Sequence, residues 1–212
     1  MSTEKKIKSP IAQRFRGFLP VVIDVETGGF NPNTDALLEI AGVVLEMQDG
    51  LLKRGETWRY HVQPFPGANM EAASLAVNGI DPWHPLRLAL PEHDALTRLL
   101  GDIRRTVKDT GCNRAVLVGH NAYFDLNFLN AAVVRCDIKR NPFHPFSCFD
   151  TATLGGVAFG QTVLAKVAMA AGMEWDSSEA HSAAYDAERT ADLFCMICNR
   201  FKDVYAASLP VE

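Results

Sequence analysis

Apolar residues crowd into short runs early in the chain and take on helical spacing later. Residues 21–25 and 37–45 are nearly continuous in Val, Ile, Leu and Ala, which predicts buried strands, and residues 57–62 continue the series as a third. Asp49-Gly50, after the second strand, invites a tight reversal. Beyond it, residues 92–107 predict a helix, 115–118 a strand, and 123–135 a helix on which Phe124, Phe128, Leu129, Ala132 and Val133 share one face. A short strand at 147–149 and helices at 163–171 and 182–201 complete the pattern. Ala187, Ala191, Phe194, Cys195, Cys198 and Phe201 form the apolar stripe of the last helix, with Ser182 placed to cap it. An antiparallel meander followed by alternating helix and strand predicts an α/β protein built on a mixed sheet. The proline-rich residues 81–91 read as one surface loop.

Length and composition agree with one globular domain: 212 residues, 48% hydrophobic and 22% charged. The expected division is a loose leader at 1–12, a single domain at 13–206 and a tail at 207–212. Residues 1–10 are polar and lysine-bearing without the apolar core of a signal peptide, and no apolar run approaches a membrane span, which predicts a cytoplasmic protein. Five cysteines, an odd number, argue against a disulfide framework, and Cys195 and Cys198 fall within one predicted helix with no second pair to complete a zinc site. A net charge of −4 and a pI near 5.9 would by themselves disfavour nucleic acid as a partner. Local charge changes that picture. Arg14 and Arg16 flank Phe15, Arg104, Arg105 and Lys108 close one helix, and Arg135, Lys139 and Arg140 follow another.

Three acidic signatures carry candidate chemistry. Asp24 and Glu26 end the first strand just before Gly28 and Gly29, and strand alternation projects both side chains the same way. Asp125 sits in the first turn of a helix that follows a strand, where α/β sheets gather their sites and where an acid suits the helix dipole. His181 precedes the last helix, and Asp186 lies in its early turns. Two ionised carboxylates about 4 Å apart repel by roughly 4 kcal/mol at an effective dielectric near 20, and four compound the cost. A divalent cation relieves it. Oxygen ligands favour hard ions such as Mg²⁺ or Mn²⁺, and a pair of ions about 3.5 to 4 Å apart can stabilise both oxygens of a phosphoryl displacement. A histidine titrating near neutrality is suited to deprotonating the attacking water. Together these residues read as a phosphodiester-cleaving site with Asp24, Glu26, Asp125 and Asp186 as metal ligands and His181 as the base. Taken singly, each signature has a plain alternative: a surface acid pair, a helix-start acid, a neighbour of a helix cap.

The D-x-E at 24–26, the N-x-x-F-D at 121–125 and the H-x-A-x-x-D at 181–186 follow the order and spacing of the DEDDh family of 3′–5′ exonucleases, which this chain resembles. Residues 14–18, 78–82, 111–114 and 141–146 look like the RNA-trimming branch of that family, so the likeness spans nearly the whole chain. The resemblance implies a ribonuclease H-like α/β fold, a mixed five-stranded sheet flanked by helices. It implies an enzyme that trims single-stranded 3′ ends of structured RNAs, transfer RNA among them, acts also on single-stranded DNA, and releases nucleoside 5′-monophosphates. Two Mg²⁺ per active site, with Mn²⁺ able to substitute, and a homodimer belong to the same implication. So do base stacking by Phe30, Phe124 and Phe146, and a grip on RNA by Arg14, Arg16, Lys108, Arg114, Lys139 and Arg140 beside the active site of a second subunit. One departure is visible: Ala73 and Val77 occupy positions where this branch carries a glutamate and a phenylalanine, leaving Glu71 or Ser74 as the available base-edge partner. Two rival readings share these residues. A proofreading-type 3′–5′ DNA exonuclease would use the same chemistry, and a catalytically silent nucleic-acid-binding module would have no chemical need for all five catalytic residues.

Overall fold

The computed structural model describes residues 9–209. Strands β1 (Phe18–Thr27), β2 (Leu37–Gln48) and β3 (Leu51–His61) form the expected antiparallel meander. Strands β4 (Arg114–Gly119) and β5 (Phe143–Asp150) join in parallel, giving one five-stranded sheet in the order β3-β2-β1-β4-β5. Asp49 and Gly50 turn the β2–β3 hairpin with φ of 53° and 76°, the doubly left-handed turn whose twist matches its strands. β1 and β2 are interior strands buried on both faces, which is why their apolar runs show no alternation.

Helices α3 (Glu92–Asp109), α4 (Tyr123–Arg135), α6 (Leu164–Ala170) and α7 (Ala183–Arg200) lie within two residues of their expected bounds. α7 runs across β1, β2 and β3 on the face that carries Asp24 and Glu26. α3 covers the other face, where Leu99 packs so closely on Gly42 that a Cβ there would stand 2.9 Å away. Arg135 donates from Nε and Nη2 to the buried Glu92 carboxylate at 2.8 and 2.6 Å, pinning α4 to α3. That ion pair removes Arg135 from the surface basic cluster in which the sequence had placed it.

Four further helices escape the periodic pattern: α1 (Pro10–Arg14), α2 (Ala72–Asn78), α5 (Thr151–Phe159) and α8 (Lys202–Ala207). α1 changes the expected leader, because Ile11 and Ala12 are buried in the core and Ser9 accepts the Ala12 N–H at 3.4 Å as its cap. Residues 1–8 of that leader and 210–212 of the expected tail lie outside the described residues. The segment Thr151–Ala170 also corrects the reading of apolar runs, since it is long and apolar enough by composition to cross a membrane. It folds as two helices, α5 and α6, broken where Gly160 turns left-handed at φ 68°. Val167 of α6 is buried with Leu193 and Ile197 of α7, and Leu154 and Phe159 of α5 pack against them.

Candidate active site

Asp24 and Glu26 point from the carboxyl-terminal half of β1 and face Ala41 and Glu39 of β2 in the antiparallel register. Asp125, 3% exposed, sits in the first turn of α4, and its Oδ1 accepts the Val25 N–H at 3.1 Å, tying the helix to the strand between the two acids. The turn into α4 is held by Asp150. Its Oδ1 accepts from the Asn121 N–H at 2.8 Å and the Ala122 N–H at 3.3 Å, while the same carboxylate caps α5 through Ala152 and Thr153. Asn121 adopts φ 62° to make that turn. On α7, Asp186 Oδ2 accepts the His181 N–H at 3.1 Å, and His181 stands at φ 65° just before the helix. Candidate ligand atoms of Glu26, His181 and Asp186 consequently lie within 4.8 Å of one another.

The charges in this space oppose one another. Burial, then Asp186, Glu39 and Asp125, push Glu26 up to about 8, with a smaller opposing effect from the Asn78 amide. Burial, then Asp125, Asp186, Glu26 and Glu39, hold Asp24 well above the usual carboxylate range. Asp125 is also raised well above it, by burial that outweighs its backbone hydrogen bonds, and burial raises Asp186. Asp186 Oδ1 is buried with no hydrogen-bond partner. Acceptor-only oxygens that repel each other, one of them orphaned, fit a hard divalent cation: it would supply the missing partner and cancel the repulsion.

Two clefts open at this point. One of about 280 Å³ is lined by Glu26, Phe30, Ala73, Ser74, Val77 and Phe124. Phe30 is 78% exposed, and its ring meets that of Phe124 edge-on at 6.1 Å. Ser74 lines the cleft where the sequence left a choice between Ser74 and Glu71, and Glu71 is not in that wall. The other cleft, about 600 Å³, runs past Asn78, Arg87 and His181. Phe146 is on β5, 69% exposed, with its ring 4.5 Å from that of His144.

The basic residues do not gather here. Phe18 pairs with Arg114 at the first residues of β1 and β4, and the Ala115 N–H bonds Pro142 O, which brings the segment after α4 to the same end. Arg14, stacked 3.5 Å over the Tyr205 ring, and Arg16, 5.5 Å over Phe18, lie there with exposed Lys108, Lys139 and Arg140. Lys139 pairs with Asp137. From Phe18 to Glu26 the strand rises roughly 26 Å, so these cations stand at the opposite end of the sheet from the carboxylates.

Three residues at the site escape motif reading. Asn78 donates to Thr27 O at 3.0 Å, Asp150 holds the α4 turn, and Glu39 meets α7. Each carried a signal: Asn78 opens the family-like segment 78–82, Glu39 is the one charged residue in 37–45, and Asp150 followed by Thr153 has the form of a helix cap.

The family model RNase_T, described as an exonuclease, matches residues 21–194. Ribonuclease T of Marinobacter nauticus is 60% identical over 205 residues, covering 96% of this chain and 93% of that protein. Ribonuclease T of Hahella chejuensis is 58% identical over 203 residues, covering 95% and 93%. Among solved structures, E. coli exonuclease I in complex with a dT13 oligonucleotide aligns with a TM-score of 0.68 at 16% identity, over 90% of this chain and 43% of that one. A full-length 3′-exonuclease aligns with a TM-score of 0.65 at 18% identity, over 92% and 93%. At those identities the likeness is one of fold, and the fold is the ribonuclease H-like one.

Proposed function

The chain belongs to the RNase_T exonuclease family, and from that premise we propose that it trims single-stranded 3′ tails of structured RNAs, transfer RNA among them. The family makes it a metal-dependent 3′–5′ exoribonuclease; the ends it takes and the residues it uses are our reading. Asp24, Glu26, Asp125 and Asp186 would hold two Mg²⁺, with Mn²⁺ able to replace them. When bound, the ions supply Lewis-acid polarisation of the phosphate and charge for the departing 3′ oxygen. His181, exposed and beside Glu26 and Asp186, takes the proton of the attacking water, and a nucleoside 5′-monophosphate leaves. Asp186 Oδ2 keeps the His181 main chain in place for that transfer.

Phe30 and Phe124 receive the terminal base, a contact that demands no sequence and is worth about 1 to 3 kcal/mol per base. With Ala73 and Val77 in the same wall, the Ser74 hydroxyl is the group nearest to hand for a base edge. Phe146, exposed on β5, is the third stacking ring of this reading. Arg14, Arg16, Lys108, Arg114, Lys139 and Arg140 serve the active site of a second copy, because their own lies at the far end of the sheet. A homodimer follows. Five free cysteines suit the reducing cytoplasm.

The observation that carries this reading is the cluster of buried, mutually repelling carboxylates with an orphaned Asp186 oxygen next to His181. It is tested on 3′-tailed hairpins of RNA and of DNA, with Mg²⁺ and with chelator, comparing the parent with Asp186→Asn. Stepwise, metal-dependent release of mononucleotides that stops near the duplex and disappears in the variant is expected. No release from either hairpin would overturn the assignment. Exonuclease I, one of the structural neighbours, was crystallised in complex with a dT13 oligonucleotide, which favours single-stranded DNA as a second substrate. Release from the DNA hairpin alone would make this a DNA exonuclease.

A further inference from the structure

Glu39 takes no part in the chemistry assigned above, yet it is 2% exposed and sits opposite Glu26 in the β1–β2 register. Its charge adds to the repulsion felt by Asp24 and Glu26, so its place burdens the site it borders. Its contacts explain what offsets that burden. Oε1 and Oε2 accept from Arg59 Nε and Nη2, both at 2.9 Å. His61 Nδ1 stands 2.9 Å from Oε2. Oε1 also accepts the backbone N–H of Ala183 at 3.0 Å.

Ala183 is the first residue of α7, and it is fully buried. The residue at the N-cap, Ser182, makes no side-chain cap bond. An N–H that a helix must satisfy from outside itself is therefore taken by a carboxylate on the strand next to β1. Two residues earlier, His181 holds φ 65°, a left-handed conformation uncommon outside glycine, with its N–H bound to Asp186 Oδ2. This bond ties the first residue of α7 to β2, while Thr57 Oγ1 and Arg54 of β3 hold Glu188 further along the helix, so Glu39 meets the end of α7 next to the segment that bears both His181 and Asp186.

We propose that Glu39 is a positioning residue: its carboxylate, gripped by Arg59, docks the start of α7 on β2 and so sets where His181 and Asp186 stand relative to Glu26. This rests on the exonuclease reading of the site. Reach matters here more than charge, because Ala183 needs an acceptor at the end of a two-carbon arm. Glu39→Asp keeps the charge and shortens the arm, whereas Glu39→Gln keeps the arm and an acceptor oxygen and loses the charge.

The test uses the 3′-tailed RNA hairpin with Mg²⁺, at a temperature where circular dichroism shows every variant folded. Glu39→Asp is expected to lower kcat by about tenfold or more with KM within about twofold, and Glu39→Gln to keep kcat within about threefold of the parent. A second readout is amide hydrogen exchange at Ala183, faster in Glu39→Asp and unchanged in Glu39→Gln. Parent-like kcat in Glu39→Asp, an equal fall in both variants, or a change confined to KM would overturn the proposal. A parent that releases nothing would instead overturn the exonuclease reading, and exchange at Ala183 would then decide this one alone.

Discussion

Burial and the neighbouring carboxylates push Glu26 from an ordinary 4.5 up to about 8, so the metal-free fold favours its protonated form. A carboxyl group raised on folding stabilises at low pH and gives that stability up as pH climbs from its unfolded value towards its folded one. Asp24, Asp125 and Asp186 are shifted the same way and steepen the loss. A bound divalent ion displaces those protons and reverses the trend. The rise in Tm produced by Mg²⁺ should therefore grow from about pH 5 to about pH 8, which thermal melts with and without Mg²⁺ would follow; a flat or shrinking rise would contradict the ligand assignment. In the proposed mechanism His181 acts as a base and not as a ligand. His181→Ala should retain the Mg²⁺-dependent Tm rise and the affinity for a 3′ end while losing about 10²- to 10⁴-fold in turnover, a separation read by pairing melts and anisotropy with single-turnover rates.

Elements made by their own periodicity are legible in the chain itself. β1 and β2 are nearly continuous apolar runs, α4 and α7 keep a helical period of apolar positions, and the acids at 24, 26, 125 and 186 stand at fixed places within them. α5 is not legible, because Gly155 and Gly156 and a run of small residues hide its pattern; what starts it is the cap from Asp150. α1 is lost among polar neighbours, since its reason for forming is the burial of Ile11 and Ala12 against the core. Glu39 draws no attention because its partner Ala183 is 144 residues away, a separation no local pattern can carry. Asp150 joins two elements at once. Asp150→Ala should cost about 1 to 2 kcal/mol in urea unfolding, the scale of a lost N-cap, and should also lower activity by loosening the turn that presents Asp125; unchanged stability would show that the cap is replaceable.

On the scale of the whole molecule, the sheet separates two kinds of group: the carboxylates with Phe30 and Phe124 at one end, the cations at the other. A dimer that brings unlike ends together makes one working site from two chains. Sedimentation equilibrium should give twice the chain mass. Mixing Asp125→Asn chains with chains in which Arg14, Arg16 and Arg114 are changed to Ala should restore activity that neither has alone, because each mixed dimer then contains one intact pairing. A monomer, or no restoration, would leave the basic end without this use. The kinked pair α5 and α6 bears on the history of the chain more than on its final state. Residues 151–170 leave the ribosome before Leu193 and Ile197, against which Val167 is eventually buried. At roughly 5 to 20 residues per second, the nascent protein carries for on the order of seconds an apolar stretch whose covering helix has yet to be made, so aggregation in that interval is held off only once the last long helix arrives.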